Sequence, residues 1–168
     1  MRLLKRAAAL LLFISLFSTT LLAQKHRKDS LPRAVGFVND FENILSPKQQ
    51  KYLDSMIRAY EKKTTVQIAL ITIDTSMISR NKFENYVYRI ANAWGVGQKE
   101  KNNGVTIGLS KGYRFMRIET GYGIRNILTD NETKKIIDTA FIPYFKKGQY
   151  FEGIVNGLEA IMKKLSKL

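Results

Sequence analysis

The side chains that could do chemistry in this chain are almost all oxygen groups. The sequence holds no cysteine and a single histidine, His26. Thiol nucleophiles, CxxC redox pairs, thiolate metal sites and disulfides are excluded. A folded domain that begins after His26 cannot build a Ser-His-Asp triad or an HExxH zinc site either. Carboxylate, lysine, tyrosine, hydroxyl and backbone chemistry remain. Asp40, in Val38-Asn39-Asp40-Phe41, precedes the first expected helix by several residues and does not cap it. An Asp without a local structural task is a candidate ligand. Asn102, Asn103 and the carbonyls of Gly121-Tyr122-Gly123 add oxygen donors, and Asp130 adds a second carboxylate, although helix capping also explains it. Oxygen-only sets suit Ca²⁺ or Mg²⁺, and Ca²⁺ tolerates irregular, carbonyl-rich geometry better. Asp40, Asn103 and Asp130 are the expected ligands of a weak divalent site.

Other chemistries fit less well. Gly95-Val-Gly97-Gln-Lys99 invites a phosphate-loop reading, but such glycines follow a strand and open a helix. Here they follow a helix and precede a strand. Glu119, Asp130 and Glu132 are close in sequence without forming a glycosidase-like pair, because capping accounts for Asp130 and Glu132. The net charge is +14 and the pI near 10.0. The basic residues are spread over every helix, with no RNP motif or zinc-finger frame, so nucleic acid is not an expected partner. A diffuse basic surface predicts peripheral contact with anionic lipid that is detectable at low salt and mostly gone at physiological salt.

The elements that must position these residues follow from periodicity. Ser46-Pro47-Lys48-Gln49 is a capping-box start, with Leu53, Met56, Ile57 and Tyr60 at helical spacing. Val66-Gln-Ile-Ala-Leu-Ile-Thr-Ile73 reads as a strand buried on both faces. Asn81-Lys-Phe-Glu84 predicts another capped helix, whose apolar face (Phe83, Val87, Ile90, Ala91, Trp94) puts Trp94 against the sheet, with Gly95 as the stop. Residues 105–109 and 114–120 make a hairpin around Lys111-Gly112. Thr129-Asp130-Asn131-Glu132 opens a helix that Pro143 ends or kinks, and a last helix runs beyond Gly148. This order predicts an α/β fold, a three-layer α/β/α sandwich on a small mixed sheet. The loops 95–103 and 121–130 then converge at one end of the sheet. Gly97, Lys99 and Asn102 on the first, and Gly121, Tyr122, Gly123 and Arg125 on the second, are the expected ligand-binding positions.

The first 23 residues read as a secretory signal. Arg2, Lys5 and Arg6 form a cationic start, an apolar run follows, and Ala23 suits the cleavage point. The apolar run is short for a span of about 20 residues, so the expectation is an exported chain, periplasmic or extracellular. Residues 24–34 are polar and basic and are expected to form a disordered tether. Residues 35–168 form the single domain, with no later segment apolar enough to cross a bilayer.

The chain resembles a TPM domain, a family of thylakoid-lumen proteins linked to photosystem II repair and of bacterial envelope proteins. The resemblance rests on Val38-Asn-Asp-Phe-Glu-Asn-Ile-Leu-Ser46, Val66-Gln-Ile-Ala-Leu-Ile-Thr72, Trp94-Gly-Val-Gly-Gln-Lys99 and Asn102-Asn-Gly-Val105. It continues through Arg117-Ile-Glu-Thr-Gly-Tyr-Gly123, Leu128-Thr-Asp130, Ile142-Pro-Tyr-Phe145 and Gly148-Gln-Tyr150. It implies an α/β/α sandwich, weak acid phosphatase activity as in some plant members, and divalent-cation binding as in some members. Asp40, Asn103, Gly121, Tyr122, Gly123 and Asp130 stand at family-motif positions. Two departures remove acid from the converging loops: Asn102 where members often have Asp, and Arg125 where they often have Glu. Many bacterial members carry a C-terminal transmembrane helix and a Gly-rich tail, and this sequence reaches Leu168 with neither. The resulting expectation is a soluble or peripheral accessory module acting on envelope or membrane-associated proteins. A metal-dependent phosphatase for phosphomonoesters, with Asp40 and Asp130 on the metal and Lys99 or Arg125 on phosphate, is the alternative.

Overall fold

A computed structural model describes residues 30–166. The expected export signal lies outside the described residues, as does the first part of the basic stretch. Four strands form one sheet in the order β1 (Val38–Asp40), β2 (Gln67–Thr72), β3 (Gly104–Ser110), β4 (Phe115–Thr120). The first three are parallel and β4 is antiparallel to β3. The parallel pairing of β2 with β3 and the β3–β4 hairpin are as the sequence predicts. β1 is an addition to that reading.

Burial on both faces explains the apolar strands. Ile68, Leu70, Val105, Ile107 and Leu109 turn to one face, under α1 (Pro47–Thr64) and α5 (Tyr150–Leu165). Ile71 and Ile73 turn to the other face, under Phe83, Tyr86, Val87 and Ile90 of α2 (Phe83–Trp94). Each fully buried aliphatic of this size contributes about 1.5–3 kcal/mol. The two cores give the α/β/α layering. Gly108 faces α2, and a Cβ there would meet Val87 Cγ2 at 2.3 Å, so the glycine lets the helix approach the sheet.

The helix starts divide into two kinds. At α1 the capping box forms: Ser46 Oγ accepts from Gln49 N–H and Gln49 Oε1 accepts from Ser46 N–H. At α3 (Asp130–Ile136) Thr129 Oγ1 accepts from Glu132 N–H. At α2 the expected capping box does not form. A 3₁₀ turn, Arg80–Lys82, leads into the helix instead, and Asn81 Oδ1 accepts from Ser79 Oγ. The 3₁₀ turn already engages the first amides, so no side chain is needed there. Gly95 ends α2 in the left-handed region, as expected.

Trp94 packs against the second core as expected, but it is only half-buried, and its Nε1 donates to Pro32 O at 2.8 Å. Tyr86 Oη donates to Ser30 O at 2.8 Å, and Leu31 packs on the same core. Residues 30–32, placed by sequence in a disordered tether, are therefore held on α2. The apolar pair Leu31-Pro32 within the basic stretch is the physical reason. Trp94→Phe removes one bond of about 1 kcal/mol. Trypsin cleavage after the exposed Arg33 should then accelerate severalfold while the main melting transition moves little; an unchanged cleavage rate would show that this contact does not hold the strap.

Candidate functional site

The parallel strands separate the nominated residues. Asp40 ends β1 beside Thr72, the last residue of β2. Asn103 precedes Gly104, which faces Gln67, the first residue of β2. Asp40 and Asn103 thus lie at opposite ends of the sheet, roughly 17 Å apart at about 3.3 Å per residue. The expected ligand set Asp40, Asn103 and Asp130 does not assemble. Among the described residues, no group of three or more His, Asp or Glu side chains is placed to hold a metal ion.

Asp40 has the local task that its sequence position hid. Its Oδ1 accepts from Ile44 N–H (3.2 Å) and from Thr72 Oγ1 (2.6 Å). Its Oδ2 accepts from Leu45 N–H (2.8 Å) and, at 3.5 Å, from Gln50 Nε2. The carboxylate folds the β1–α1 connection. Glu42 does the same for the hairpin: Oε2 accepts from Lys111 N–H (2.8 Å), and Oε1 from Gly112 N–H (3.1 Å) and Ser110 Oγ (3.2 Å). Glu42 N–H donates to Thr72 Oγ1, so one buried hydroxyl joins the Asp40 carboxylate to the Glu42 backbone.

At the other end the two glycine loops do converge. Gly123 N–H donates to Asn102 O and Gly121 N–H to Gly104 O. A Cβ on Gly121 would lie 2.1 Å from Asn102 O, and one on Gly123 would lie 1.8 Å from Lys101 O. Backbone packing, not ligand approach, accounts for these glycines. Gly97 has φ 114°, and its N–H donates to Gln67 Oε1. Asn103 is buried and saturated: Oδ1 accepts from Gln98 N–H, and Nδ2 donates to Thr65 O. Lys99 and Asn102 are exposed. The Arg125 guanidinium lies over the exposed Tyr122 ring, 4.8 Å from its centroid.

Asp130 lies within electrostatic reach of Arg117. Arg117 Nε bonds Glu119 Oε1 at 2.7 Å. Burial lowers the Arg117 pKa, but the Glu119 bond and the charges of Glu119, Glu84 and Asp130 outweigh it, so the net direction is upward.

A cleft absent from the sequence reading lies where the hairpin faces the turn after α4 (Ile142–Phe145). Its volume is about 560 Å³. Met116, Ile142, Phe145 and Tyr150 give it an apolar lining. Lys111, Arg114 and Lys146 also line it. Among the described residues, none of the three side-chain cations forms an ion pair with a carboxylate, although the Lys111 backbone N–H donates to Glu42 Oε2. Lys111 Nζ sits 5.6 Å from the centroid of the Tyr150 ring. Arg114 holds φ 48°, a left-handed conformation that suits glycine or asparagine in such a hairpin loop. The sequence signal was present in Lys111-Gly-Tyr-Arg114 and Lys146-Lys147, but only the fold joins them.

A family model for the TPM domain matches residues 38–164. Among solved structures, the N-terminal domain of a protein from P. gingivalis is similar at TM-score 0.70 and 31% identity, covering 78% of this chain and 82% of that one. The BA42 protein of the psychrophilic bacterium Bizionia argentinensis is similar at TM-score 0.64 and 22% identity, over 76% and 85%. The N-terminal domain of cg2496 from Corynebacterium glutamicum is similar at 0.56 and 14%, over 80% and 83%. These last two share the fold alone. No curated protein matches the chain. The match begins at β1 and reaches the last turn of α5, taking in both converging loops and the hairpin, and on that extent the chain belongs to the TPM domain family.

Proposed function

We propose that this TPM domain is a non-catalytic accessory module, exported to the bacterial envelope, that binds its partner through the cationic cleft. The observation that carries the reading is a set of three side-chain cations that, among the described residues, have no ion-pair partner, around an apolar lining. Cavities of this size, mostly apolar with a few convergent polar groups, are the usual form of a ligand site. The carboxylates nominated for chemistry support the same reading from the other side. Asp40 and Glu42 spend their lone pairs on backbone amides and hydroxyls. A phosphoryl-transfer site needs a positioned nucleophile together with cationic stabilisation, and these two carboxylates are committed to the fold. The basic stretch before the domain adds salt-screened attraction to anionic envelope surfaces.

The test is turnover of p-nitrophenyl phosphate by the wild-type chain and by Asp40→Ala, with Ca²⁺ or Mg²⁺ at millimolar concentration. Neither protein is expected to release p-nitrophenol above the buffer rate. Metal-dependent turnover that Asp40→Ala abolishes would replace the accessory reading with the phosphatase one.

A further inference from the structure

Burial sorts the lining of the cleft into layers. Leu109, Ser110 and Met116, from β3 and β4, are 2%, 0% and 7% exposed and form its floor. The polar side chain of that floor is already spent: Ser110 Oγ donates to Glu42 Oε1 and accepts from Tyr113 N–H. Ile142, Phe145 and Tyr150 are half-buried and form the walls, and the two aromatic rings stack with centroids 5.0 Å apart. Lys111, Arg114 and Lys146 are exposed and stand at the rim. Among the described residues, no Asp or Glu lines the cleft. Glu42, which holds the hairpin turn, has both oxygens engaged by Ser110 Oγ and the Lys111 and Gly112 amides.

The layers select a guest. Whatever reaches the floor loses water there and finds no side chain free to bond it, so the inserted part must be apolar. The charges that line the cleft are positive and lie at its mouth, so the guest's charge must be negative and stand at one end. A small polyanion such as inorganic phosphate satisfies the rim and leaves the floor empty. A neutral apolar molecule satisfies the floor and leaves the cations unpaired. A peptide inserted to the floor carries amides there that no side chain can bond. A single alkyl chain with an anionic head satisfies both layers. The volume, about 560 Å³, also lies within the range of about 300–1,000 Å³ usual for small-molecule sites.

We infer that the cleft is a binding site for a single-tailed amphiphilic anion, one alkyl chain ending in a carboxylate or a phosphate monoester. The chain lies on Leu109, Met116 and Phe145, and the head lies among Lys111, Arg114 and Lys146. This names the partner class of the accessory reading above and rests on it. Arg114 offers a clean handle on the site. It holds φ 48°, where glycine is unstrained, so its guanidinium can be removed without a cost to folding.

The experiment titrates the full chain by calorimetry with decanoate and with decyl phosphate, each below its micelle concentration and at low salt. Saturable one-to-one binding of at least one is expected, and the tighter of the two names the head. For that head, affinity should rise about threefold with each methylene added between six and ten carbons. Decanamide, with the same chain and no charge, should bind at least tenfold more weakly. Arg114→Gly should weaken the anion about fivefold while its melting temperature stays level or rises, which separates lost binding from lost folding. Lys146→Gln, at an exposed position, should weaken it in the same direction. Nuclear Overhauser contacts from the chain to Met116 and Ile142 should place it in the cleft. No saturable binding, equal binding of decanamide, no dependence on chain length, or an affinity that Arg114→Gly leaves unchanged would each overturn the site. So would capture by anionic phospholipid vesicles without binding of either monomeric anion, which would mark a membrane-facing surface instead. Release of phosphate from decyl phosphate would overturn the accessory reading and leave the cleft standing, so the two are judged by different readouts.

Discussion

Asp40→Ala is expected to destabilise the domain by about 2–4 kcal/mol, a fall in melting temperature of roughly 10 °C. The carboxylate accepts from two backbone amides and one hydroxyl, and alanine replaces none of those acceptors. Thr72 is 1% exposed and Leu45 is 5% exposed, so water does not readily take over the bonds. An unsatisfied buried donor costs about 1–3 kcal/mol, and bonds to a charged acceptor lie at the upper end of the scale. Asp40→Asn keeps one acceptor oxygen and sets an amide N–H₂ against a backbone N–H, so it should lose less, by roughly half. The decisive control is Ca²⁺. If Asp40 is a staple, the loss is the same with and without millimolar Ca²⁺, and the wild-type melting curve does not move across that range. If Asp40 binds metal, wild type gains stability as ln(1 + [L]/Kd) and the variant does not. A Ca²⁺-dependent rise in wild type that Asp40→Asn removes would overturn the structural role.

The reason this role was hidden is geometric. Familiar local signals place an Asp acceptor two or three residues before its amide, as in Asx turns and N-caps. The Asp40 amides lie four and five residues ahead, in the connection that precedes the Ser46 cap. β1 was hidden for a related reason. It has three residues, and its partner on β2 lies 32 positions away, so neither length nor local alternation marks it. Once β1 is seen as parallel to β2, Asp40 at its C-terminal end must sit opposite the loops that enter β2 and β3. The capping boxes, the doubly buried β2 and the hairpin were legible because each rests on residues within a few positions of one another. The convergence of the glycine loops was legible because strand direction alone determines it. Asn103 and Gln67 were not, because an amide satisfied by a loop some thirty or more residues away has the same sequence signature as one offered to a ligand.

Gly157→Ala should destabilise the domain by about 3 kcal/mol, against the usual helix preference. In an exposed helix interior the same change stabilises by up to about 1 kcal/mol. Gly157 is buried within α5, and a Cβ there would meet Phe141 Cζ, Cε2 and Cε1 at 2.0, 2.1 and 2.3 Å. Phe141 has no easy retreat. It is fully buried and ends a π turn, Ile137–Phe141, in which Ile142 N–H bonds Ile137 O. Pro143 follows without an N–H, so the chain cannot simply rewind into a regular α-helix at this point. The Phe141 ring also lies against Phe145, with centroids 5.8 Å apart. Overpacking of this kind costs about 1–3 kcal/mol or more, to which displacement of a buried aromatic adds. Phe141→Leu made together with Gly157→Ala should recover part of the loss, giving a coupling of roughly 1–2 kcal/mol in a double-mutant cycle. Additive losses would show that the two sites do not share a contact. The effect also reaches the cleft. Phe141 seats the turn from which α4 extends, and Ile142, Phe145 and Lys146 carry one wall. A pushed Phe141 therefore moves that wall relative to Arg114 and Lys111.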